Sequence, residues 1–502
     1  MKCDEDSVKW HTRQLLVLFL LILFIAALVE GYRFRDEYDS NSSSYRPEVN
    51  FSKIVQASEI LNKIKSGQPI EYNHVIIKGN VDLKDLNLSN WSPYSTYSAF
   101  SRTFSRKYNK PYVLESPIYI EDSIIDGDVN LRNAIFMREV DFKGTRFNGT
   151  TDFGRSNFRE TADFTYSYFN EDASFYSTVF NDDAGFREAV FKRDAMFSYS
   201  VFGGDAYFWA SIFVGDTYFK STVFLGKADF PSSRFLKNAY FNQDYFSSNK
   251  SSVFGDAKFF GSHFLGNAYF NNMQFIGEVD FRNSYFNQTA DFKESGFHNV
   301  ANFVGSEFTG SLNLTRMIFS QINIDWPNVN NLICEDGPTF LALIKNCRDL
   351  EQYSDADKIY YQYRSWRKDQ KPWSDESKYF DLLALYTCGY GVRVDYTIRS
   401  GLFVLIFFTI IYSLKLKRSC KKNLFQKIKE SFWFSLIVLL SVPKEFYLYG
   451  DETYNNYIKN IKTIPILVAC PLCCKISAKS HVKSRRDVNE ITASYFFTRF
   501  NN

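Results

Sequence analysis

Three groups of residues have types and spacings that could support chemistry. Aspartates recur along the middle of the chain, where carboxylates could bind calcium or act as paired catalytic acids. They are Asp141, Asp152, Asp163, Asp229, Asp280 and Asp291. Cys470, Cys473 and Cys474 form a C-x-x-C-C cluster near His481, but a zinc site would need a fourth ligand at a workable spacing. We interpret the aspartates as a solvated repeat face and the cysteines as lipid-modified or plain apolar residues.

The third group is the run Thr-Cys-Gly-Tyr-Gly at 387–391. Its letters are similar to those of a potassium filter, in which backbone carbonyls replace the water shell of the ion. A filter follows a membrane helix, whereas the residues before this run include Arg364, Lys371 and Asp375. We therefore interpret it as a glycine turn at a membrane surface, with Tyr390 and Tyr396 in the aromatic belt.

Other catalytic signatures are missing from the sequence. No Ser-His-Asp order, phosphate loop or nucleotide fingerprint occurs, and the chain of 502 residues has 5 His. We predict a protein that is not an enzyme and has no catalytic, cofactor-binding or metal-binding residues.

The spacing of the 52 phenylalanines predicts the elements that must position these residues. One series advances in steps of eleven from Phe142, and a second does so from Phe136. The first series pauses after Phe241 and resumes at Phe259, and the second pauses after Phe246 and resumes at Phe264. Repetition at a fixed period is the sequence signature of a stacked repeat architecture.

A small residue stands two positions before each phenylalanine, as at Ala162 and Ser167. Residues i and i−2 of an extended backbone point to the same side, so a large and a small side chain share the interior. A helical array is rejected, because the apolar gaps are five and six and turn-forming residues fill them. We predict a solenoid of about nine 22-residue coils. The sixth residue of alternate units should bulge at a corner, and the seven residues added at the pause should form a loop at 247–253.

The tripeptide Ala-Asp-Phe at 162–164, 228–230 and 290–292 resembles the A-(D/N)-(L/F)-x-x unit of pentapeptide-repeat proteins. The resemblance covers about 118–320, with a weaker earlier coil at 75–88. It implies a mainly β fold, a right-handed quadrilateral β-helix with the phenylalanine and the small residue inward. α-Helical and membrane segments are expected to follow it.

We divide the chain into six parts. They are a signal anchor or signal peptide at 1–31, a cap with a first coil and an inserted loop at 32–117, the β-helix at 118–320, a helical cap or linker at 321–398, a membrane module at 399–474 and a basic tail at 475–502. The amphipathic stretch 52–65 should cover one end of the rod and 322–347 the other. Helices are expected at 339–348, at 355–368 and from an N-cap at Ser374 to residue 385.

Residues 401–414 are the best transmembrane candidate, because basic residues follow them on the side expected to be cytoplasmic. The apolar run 15–29 favours the same orientation, so the repeat domain should be extracytoplasmic. The run 431–442 is too short to cross a bilayer and fits a re-entrant or interfacial segment. The stretch 340–470 is similar to the C-terminal part of some archaeal pentapeptide-repeat proteins, where a two-helix, ion-channel-like pore module follows the repeat.

An aromatic stripe is the candidate binding surface. Its members are Tyr207, Tyr218, Tyr240, Tyr269 and Trp209; they are expected to stack on the outside, and exposed aromatic patches often mark binding sites. Residues 118–320 carry 18 Lys+Arg against 25 Asp+Glu, too few acids to imitate DNA, so no nucleic-acid partner is expected.

The resulting prediction is a membrane-anchored rod that serves as a binding or scaffold surface. Its partners would be the lipid bilayer and a protein or cell-surface molecule, and an oligomer is permitted. The alternative is a subunit of an ion-channel-like membrane protein with a degenerate pore module.

Overall fold

The computed structural model describes residues 51, 53–86, 111–243, 252–415 and 424–440. The segment predicted to be a signal anchor or signal peptide, the pore-like segment after residue 440, the cysteine cluster and the basic tail lie outside the described residues.

The chain winds into a parallel β-solenoid of about 11 turns. Strands pair in parallel with strands 22 residues further on, as in Val140 with Ala162 and Phe147 with Phe169. The predicted 22-residue coil is therefore confirmed. Each coil contributes four short strands, so four parallel ladders run along the rod; they are numbered 1 to 4 in the order in which the chain visits them. The right-handed sense of the coil stays a prediction.

The strands of the four ladders have the following bounds. Ladder 1 contains Ile70–Asn73, Ile118–Glu121, Val140–Asp141, Ala162–Asp163, Ala184–Gly185, Ala206–Tyr207, Ala228–Asp229, Ala257–Lys258, Val279–Asp280, Gly296–Phe303 and Ile318–Ile324. Ladder 2 contains Lys53–Gln56, Val75–Lys78, Ile124–Asp126, Arg146–Phe147, Tyr168–Phe169, Val190–Phe191, Ile212–Phe213, Arg234–Phe235, His263–Phe264, Tyr285–Phe286, Glu307–Asn313 and Val329–Ile333. Ladder 3 contains Val81–Asp82, Val129–Asn130, Thr151–Asp152, Ala173–Ser174, Ala195–Met196, Thr217–Tyr218, Ala239–Tyr240, Ala268–Tyr269 and Ala290–Asp291, and it continues in Glu307–Asn313 and Val329–Ile333. Ladder 4 contains Tyr112–Leu114, Ala134–Phe136, Asn157–Phe158, Val179–Phe180, Val201–Phe202, Val223–Phe224, Ser252–Phe254 and Met273–Phe275, and it continues in Gly296–Phe303 and Ile318–Ile324.

The rod is longer than the sequence analysis predicted. Strands of the solenoid extend from Lys53–Gln56 to Val329–Ile333, beyond 118–320 at both ends, and they raise the number of turns from the expected nine to about 11. The first and last coils use aliphatic residues such as Ile77 and Ile322 in the core, so the phenylalanine signal does not reach them.

The pause in the repeat is placed differently from the prediction. Phe254, not Phe246, stacks on Phe224 in ladder 4, with ring centroids 4.6 Å apart. Ser252–Phe254 is a strand, so the loop predicted at 247–253 overlaps a strand and that boundary is wrong. Phe246 itself lies outside the described residues. The inserted residues fall between Phe241 and this strand, since Tyr240 pairs with Tyr269 across them.

The phenylalanines fill the centre of the rod in stacked columns. Phe186 stacks on Phe208 in the next coil at 4.9 Å with nearly parallel rings, and it meets Phe197 edge to face at 5.3 Å. Such offset-stacked and T-shaped contacts are the favoured arrangements of aromatic pairs, worth about 0.5–1.5 kcal/mol each beyond the burial of area. The first series therefore interlocks across the centre while each column continues along the axis.

The small residues of the second series form two rows of buried hydroxyl groups, one beside ladder 2 and one beside ladder 4. Ser211 Oγ donates to the carbonyl oxygen of Phe186 at 2.6 Å, and Thr222 Oγ1 donates to that of Phe197 at 2.8 Å. Equivalent bonds recur in most coils between 142 and 306. Ala189 occupies one position of the row beside ladder 2 and is fully buried, so the carbonyl of Phe164 receives no hydroxyl there.

Two kinds of corner join the strands. After each first-series phenylalanine a tight turn closes, as where the Thr145 N–H donates to Phe142 O, and its third residue has a positive φ (66° at Gly144), as in a type II turn. Positive φ recurs every eleven residues, at Arg155, Tyr166 and Ser177 among others. After each second-series phenylalanine the corner takes three residues, such as 148–150, so the sixth residue of alternate units does lie at a corner.

Helices cover both ends of the rod. Helix α1, Ala57–Ser66, buries Ile60 and Leu61 against the first coil; the predicted amphipathic stretch began at 52, but Lys53–Gln56 is a strand. Helix α2, Gly337–Asp349, packs Phe340 and Leu343 into the same core as the phenylalanines. Its Asn346 side chain bonds both the N–H and the carbonyl of Ile322, which satisfies backbone groups at the open end of the last coil.

Four more helices follow. They are α3, Tyr353–Gln370; α4, Glu376–Cys388; α5, Val394–Lys415; and α6, Leu424–Leu440. The N-cap of α4 is Asp375, whose side chain accepts from the Ser377 N–H, so the prediction of Ser374 as N-cap is wrong by one residue. Short 3₁₀ turns occur at Leu83–Asp85, Trp326–Asn328 and Gly389–Gly391.

Candidate functional site

Five of the six repeated aspartates next to the first-series phenylalanines bind the backbone of their own turn. Asp141 Oδ1 accepts from the Lys143 N–H at 2.7 Å, and Asp163 Oδ1 accepts from the Thr165 N–H at 2.8 Å. Asp152, Asp280 and Asp291 make the equivalent bond. This contact is an Asx turn, which holds the tight corner. Among the described residues, no group of three His, Cys, Asp or Glu is placed to hold a metal ion.

Burial changes the acidity of this row. Asp141 is partly desolvated and lies near the carboxylates of Asp163 and Glu121, which together raise its pKa to about 6. Burial likewise raises the pKa of Asp229 and of Asp291. Asp280 differs: although burial opposes its ionisation, its bonds from Arg282 lower its pKa. The aspartates of the repeat are therefore not equivalent in acidity.

A second row of acidic and amide side chains, at the three-residue corners, was missed from the sequence. Asp183 Oδ1 accepts from the Asp205 N–H at 2.8 Å, and Asp205 Oδ1 accepts from the Lys227 N–H at 2.9 Å. Each side chain thus bonds the backbone of the next coil. The signal was an Asp or Asn three residues after a second-series phenylalanine, as at Asp194 and Asp216.

The predicted aromatic stripe is divided between two sides of the rod. Tyr218, Tyr240 and Tyr269 stack in ladder 3, with consecutive ring centroids 5.0 Å apart. Tyr207 lies in ladder 1, with Trp209 at the following corner. The single stripe is therefore wrong, because eleven residues advance the chain by half a coil and successive first-series positions alternate between ladders 1 and 3.

The tyrosine stack has a cationic and an acidic border. Lys220 Nζ lies 4.6 Å from the centroid of the Tyr240 ring, a cation–π contact. Burial, with the nearby carboxylates of Asp194 and Asp216, raises the pKa of Tyr218. Burial and the nearby Asp216 carboxylate likewise raise the pKa of Tyr240, so the Tyr218 and Tyr240 phenols favour the protonated form and can act as hydrogen-bond donors.

A shallow cleft lies on the ladder 1 side beside Trp209. Its volume is about 560 Å³. It is lined by Lys143, Asp163, Thr165, Tyr166, Arg187, Glu188, Trp209 and Asp229. The Arg187 guanidinium covers the Tyr207 ring at 4.3 Å, and buried Asp229 Oδ1 has no hydrogen-bond partner. Aromatic surface and polar groups therefore meet in one concave region.

An ion cluster fixes the helices that follow the rod. Asp381 accepts from Arg364 at 2.7 Å and from Lys371 at 2.6 Å. Although burial opposes its ionisation, Lys371 and Arg364 hold the pKa of this carboxyl below its ordinary value. Lys378 Nζ donates to the Lys371 carbonyl at 2.7 Å. Helices α3 and α4 are thus joined through buried charges.

The run 387–391 is a glycine turn, as predicted. Gly389 has φ 51° and ends α4 as its C-cap, and Tyr390 and Gly391 also have positive φ. Tyr390 is buried against Tyr361 and lies under the Arg364 guanidinium, 4.9 Å away. Its predicted place in the aromatic belt is therefore wrong, because its ring packs inside the helical unit.

Helix α5 is long and apolar enough over Val394–Leu414 to cross a membrane, and 11% of that window is buried. It is the one such helix in the described part of the chain. Helix α6 packs beside it, with the rings of Tyr412 and Phe434 4.9 Å apart. Residues 431–440 of the run predicted to be a short re-entrant or interfacial segment belong to this 17-residue helix, because residues 424–430 are mostly good helix formers that extend it backwards.

The comparisons with known proteins concern the repeat. The family model described as pentapeptide repeats matches in 9 copies, over residues 131–178, 164–212 and 259–307. No curated protein and no solved structure matches the chain. The family match does not extend to the segment 340–470, so its likeness to archaeal proteins with a pore module, and the channel alternative, stay predictions. The matched coils and their four ladders agree, and we conclude that the β-solenoid of this chain contains pentapeptide repeats.

Proposed function

We propose that this protein is a non-enzymatic, membrane-anchored rod whose outer faces serve as a binding or scaffold surface. The observation that carries the proposal is the solid centre of the rod. Phenylalanine columns such as Phe175, Phe197 and Phe219 are fully buried in direct ring contact. Partners can therefore be met only on the outside, where the tyrosine stack and the cleft beside Trp209 offer aromatic surface.

Membrane anchoring is supported by the exposed apolar surface of α5. Phe403, Ile406 and Ile410 are among its side chains that no part of the described protein covers. An apolar patch of this kind is unfavourable in water and marks a membrane or protein contact. By the positive-inside rule, the basic residues after α5 favour a cytoplasmic position for its C-terminal end. This supports an extracytoplasmic rod.

Alkaline extraction of membranes tests the anchor. Residues 1–31 are removed so that only the C-terminal helices can hold the protein in the bilayer, and the variant Ile406→Lys/Ile410→Lys is compared with the unchanged helix. We expect the parent to stay in the membrane pellet and the variant to be released, since each lysine at the centre of a span is unfavourable by about 2.5–3.5 kcal/mol. Ile54→Lys is the control, because Ile54 is as exposed (57%) as Ile406 (58%) but lies on the rod. Release of the parent would refute the anchor.

Protease treatment of intact cells tests the orientation. We expect added protease to cleave the inserted segments of the rod, such as 244–251, before lysis. Cleavage only after lysis would place the rod in the cytoplasm and overturn the proposed localisation.

A further inference from the structure

Helix α4 has its polar and apolar faces reversed. The face turned to the rest of the protein contains Lys378, Asp381, Leu385 and Cys388, all buried. The face turned outward contains Tyr379, Phe380, Leu383 and Tyr386, and Phe380 and Tyr386 are 71% and 70% exposed. A surface helix in water normally does the opposite, with its apolar stripe against the core.

The buried charges show that this orientation is fixed by contacts. Asp381 is 7% exposed and its two carboxylate oxygens accept from Arg364 and Lys371. Lys378 is equally buried; its Nζ donates to a carbonyl and lies 4.3 Å from the Trp373 ring centroid. Turning α4 to hide its aromatic face would break these charge-assisted bonds and leave unpaired charges. Since no described part of the chain covers the apolar face, this face needs a partner beyond the described residues.

The position of α4 identifies that partner. The helix ends at the glycine turn Gly389–Gly391, and the candidate membrane span begins at Val394. Ser400 Oγ of α5 donates to the Thr387 carbonyl of α4 at 2.6 Å, so the two helices are tied at this end. The outward residues continue through Val394 and Ile398 to Leu402 on α5, all exposed. One apolar surface thus runs from α4 onto the span.

We propose that α4 lies in the interface of the bilayer that α5 crosses, with Phe380 and Leu383 among the upper acyl chains and Tyr379 and Tyr386 at the headgroup level. This inference rests on the proposed membrane anchoring. Tyrosine and tryptophan favour the interfacial region, and interfacial helices bury an apolar face at the boundary between headgroups and acyl chains. The ion cluster on the inner face then joins the membrane-seated helix to α3 and, through α2, to the end of the rod.

Trp373 is a natural reporter of this contact, since its ring lies 6.4 Å from that of Tyr379. The full chain is reconstituted into phosphatidylcholine vesicles with or without bromine on the upper acyl chains, and tryptophan emission is measured for the parent, Trp373→Phe and Trp209→Phe. The difference between parent and variant gives the emission of each residue. We expect bromine to reduce the Trp373 emission about twofold, as for a ring at the interface, and to leave that of Trp209 unchanged.

A charge on the outward face supplies a second readout. Phe380→Asp should reduce the quenching of Trp373, whereas Leu341→Asp, at a side chain 52% exposed on α2, should not. Unquenched Trp373 in a protein that resists alkaline extraction would overturn the interfacial position and leave the anchor intact. A concentration-dependent dimer with unquenched Trp373 would show that a second copy covers α4, and it would overturn the inference equally. Release of the parent by alkali refutes the anchor itself.

Discussion

The row of buried hydroxyls gives the sharpest test of how the coils are held together. Ser211→Ala removes the donor to Phe186 O while leaving the shape of the core almost unchanged. The equivalent position one coil earlier is occupied by alanine, Ala189. The converse change, Ala189→Ser, should therefore add a bond to Phe164 O. The two substitutions form a matched pair with opposite expected signs.

The magnitude follows from the partners of the carbonyl. After Ser211→Ala, Phe186 O still accepts from the Ala189 N–H at 3.1 Å, so the carbonyl is not left unsatisfied. The loss should therefore lie near the net value of one hydrogen bond, about 1 kcal/mol, instead of the about 1–3 kcal/mol of an orphaned buried group. Ala189→Ser should gain up to a similar amount if the hydroxyl takes the geometry of its neighbours.

Hydrogen exchange read by mass spectrometry measures this locally, which matters because a solenoid need not unfold in one step. A change of about 1 kcal/mol corresponds to about fivefold in protection. We expect peptides covering 186–213 to exchange about fivefold faster in Ser211→Ala, and those around 164–189 to exchange more slowly in Ala189→Ser. Unchanged protection in both variants would refute the hydroxyl row as a source of stability and leave small size as the only requirement.

Three further changes test the rest of the rod. Phe197→Ala leaves a cavity between Phe175 and Phe219, so we expect a loss of about 3–5 kcal/mol in denaturant unfolding; a loss below about 1 kcal/mol would contradict a close-packed column. In Asp141→Asn the amide oxygen can still accept from the Lys143 N–H, but the carboxyl, whose pKa of about 6 exceeds its unfolded value, is gone. Native Asp141 binds more protons than the unfolded residue between about pH 4 and 6, so its contribution falls as pH rises through that window. The variant should therefore match the parent at pH 4 and exceed it by about 1 kcal/mol at pH 7, after allowance for partial exposure, and a pH-independent difference in melting temperature would argue against it. Asp205→Ala should destabilise by about 1 kcal/mol through the lost bond to the Lys227 N–H and Asp205→Asn much less, as compared by thermal melting; equal losses would assign the effect to charge.

The sequence predicted the coil well because large phenylalanine side chains recur at its period. Every first-series phenylalanine from Phe142 to Phe241 is buried, and the 22-residue register follows from two steps of eleven. The prediction failed at the insertion, where the residue expected from the spacing is not the one that stacks in the ladder. Phe246 fits the spacing of eleven, yet Phe254 is the residue that stacks on Phe224 in ladder 4. The boundary of an insertion is not determined by spacing when a second phenylalanine near it can make the same stack.

The candidate surface was harder to predict for geometric reasons. Types and periodicity identified Tyr218 and Tyr240, but one step of eleven residues is half a coil, so Tyr207 lies on another side of the rod. The predicted 22-residue coil already implied this separation, and the prediction of a single stripe overlooked it. The exposed apolar face of helix α4 could not be predicted from the sequence, because charged residues lie on its buried face. Its buried Lys378 and Asp381 depend on partners from α3 and the following loop, and these partners are visible only in three dimensions.

Two repeat steps of eleven residues make one 22-residue coil, and this relation determines what a deletion does to the rod. Deleting 22 residues should shorten it by one layer, about 4.8 Å, and leave every remaining side chain facing the same direction. Deleting eleven residues before Tyr207 should rotate all later residues by half a coil. Tyr207 would then lie on the side that ladder 3 now occupies, and the tyrosines of ladder 3 on the side of ladder 1. The number of residues in the rod thus determines both its length and the direction in which its later side chains face.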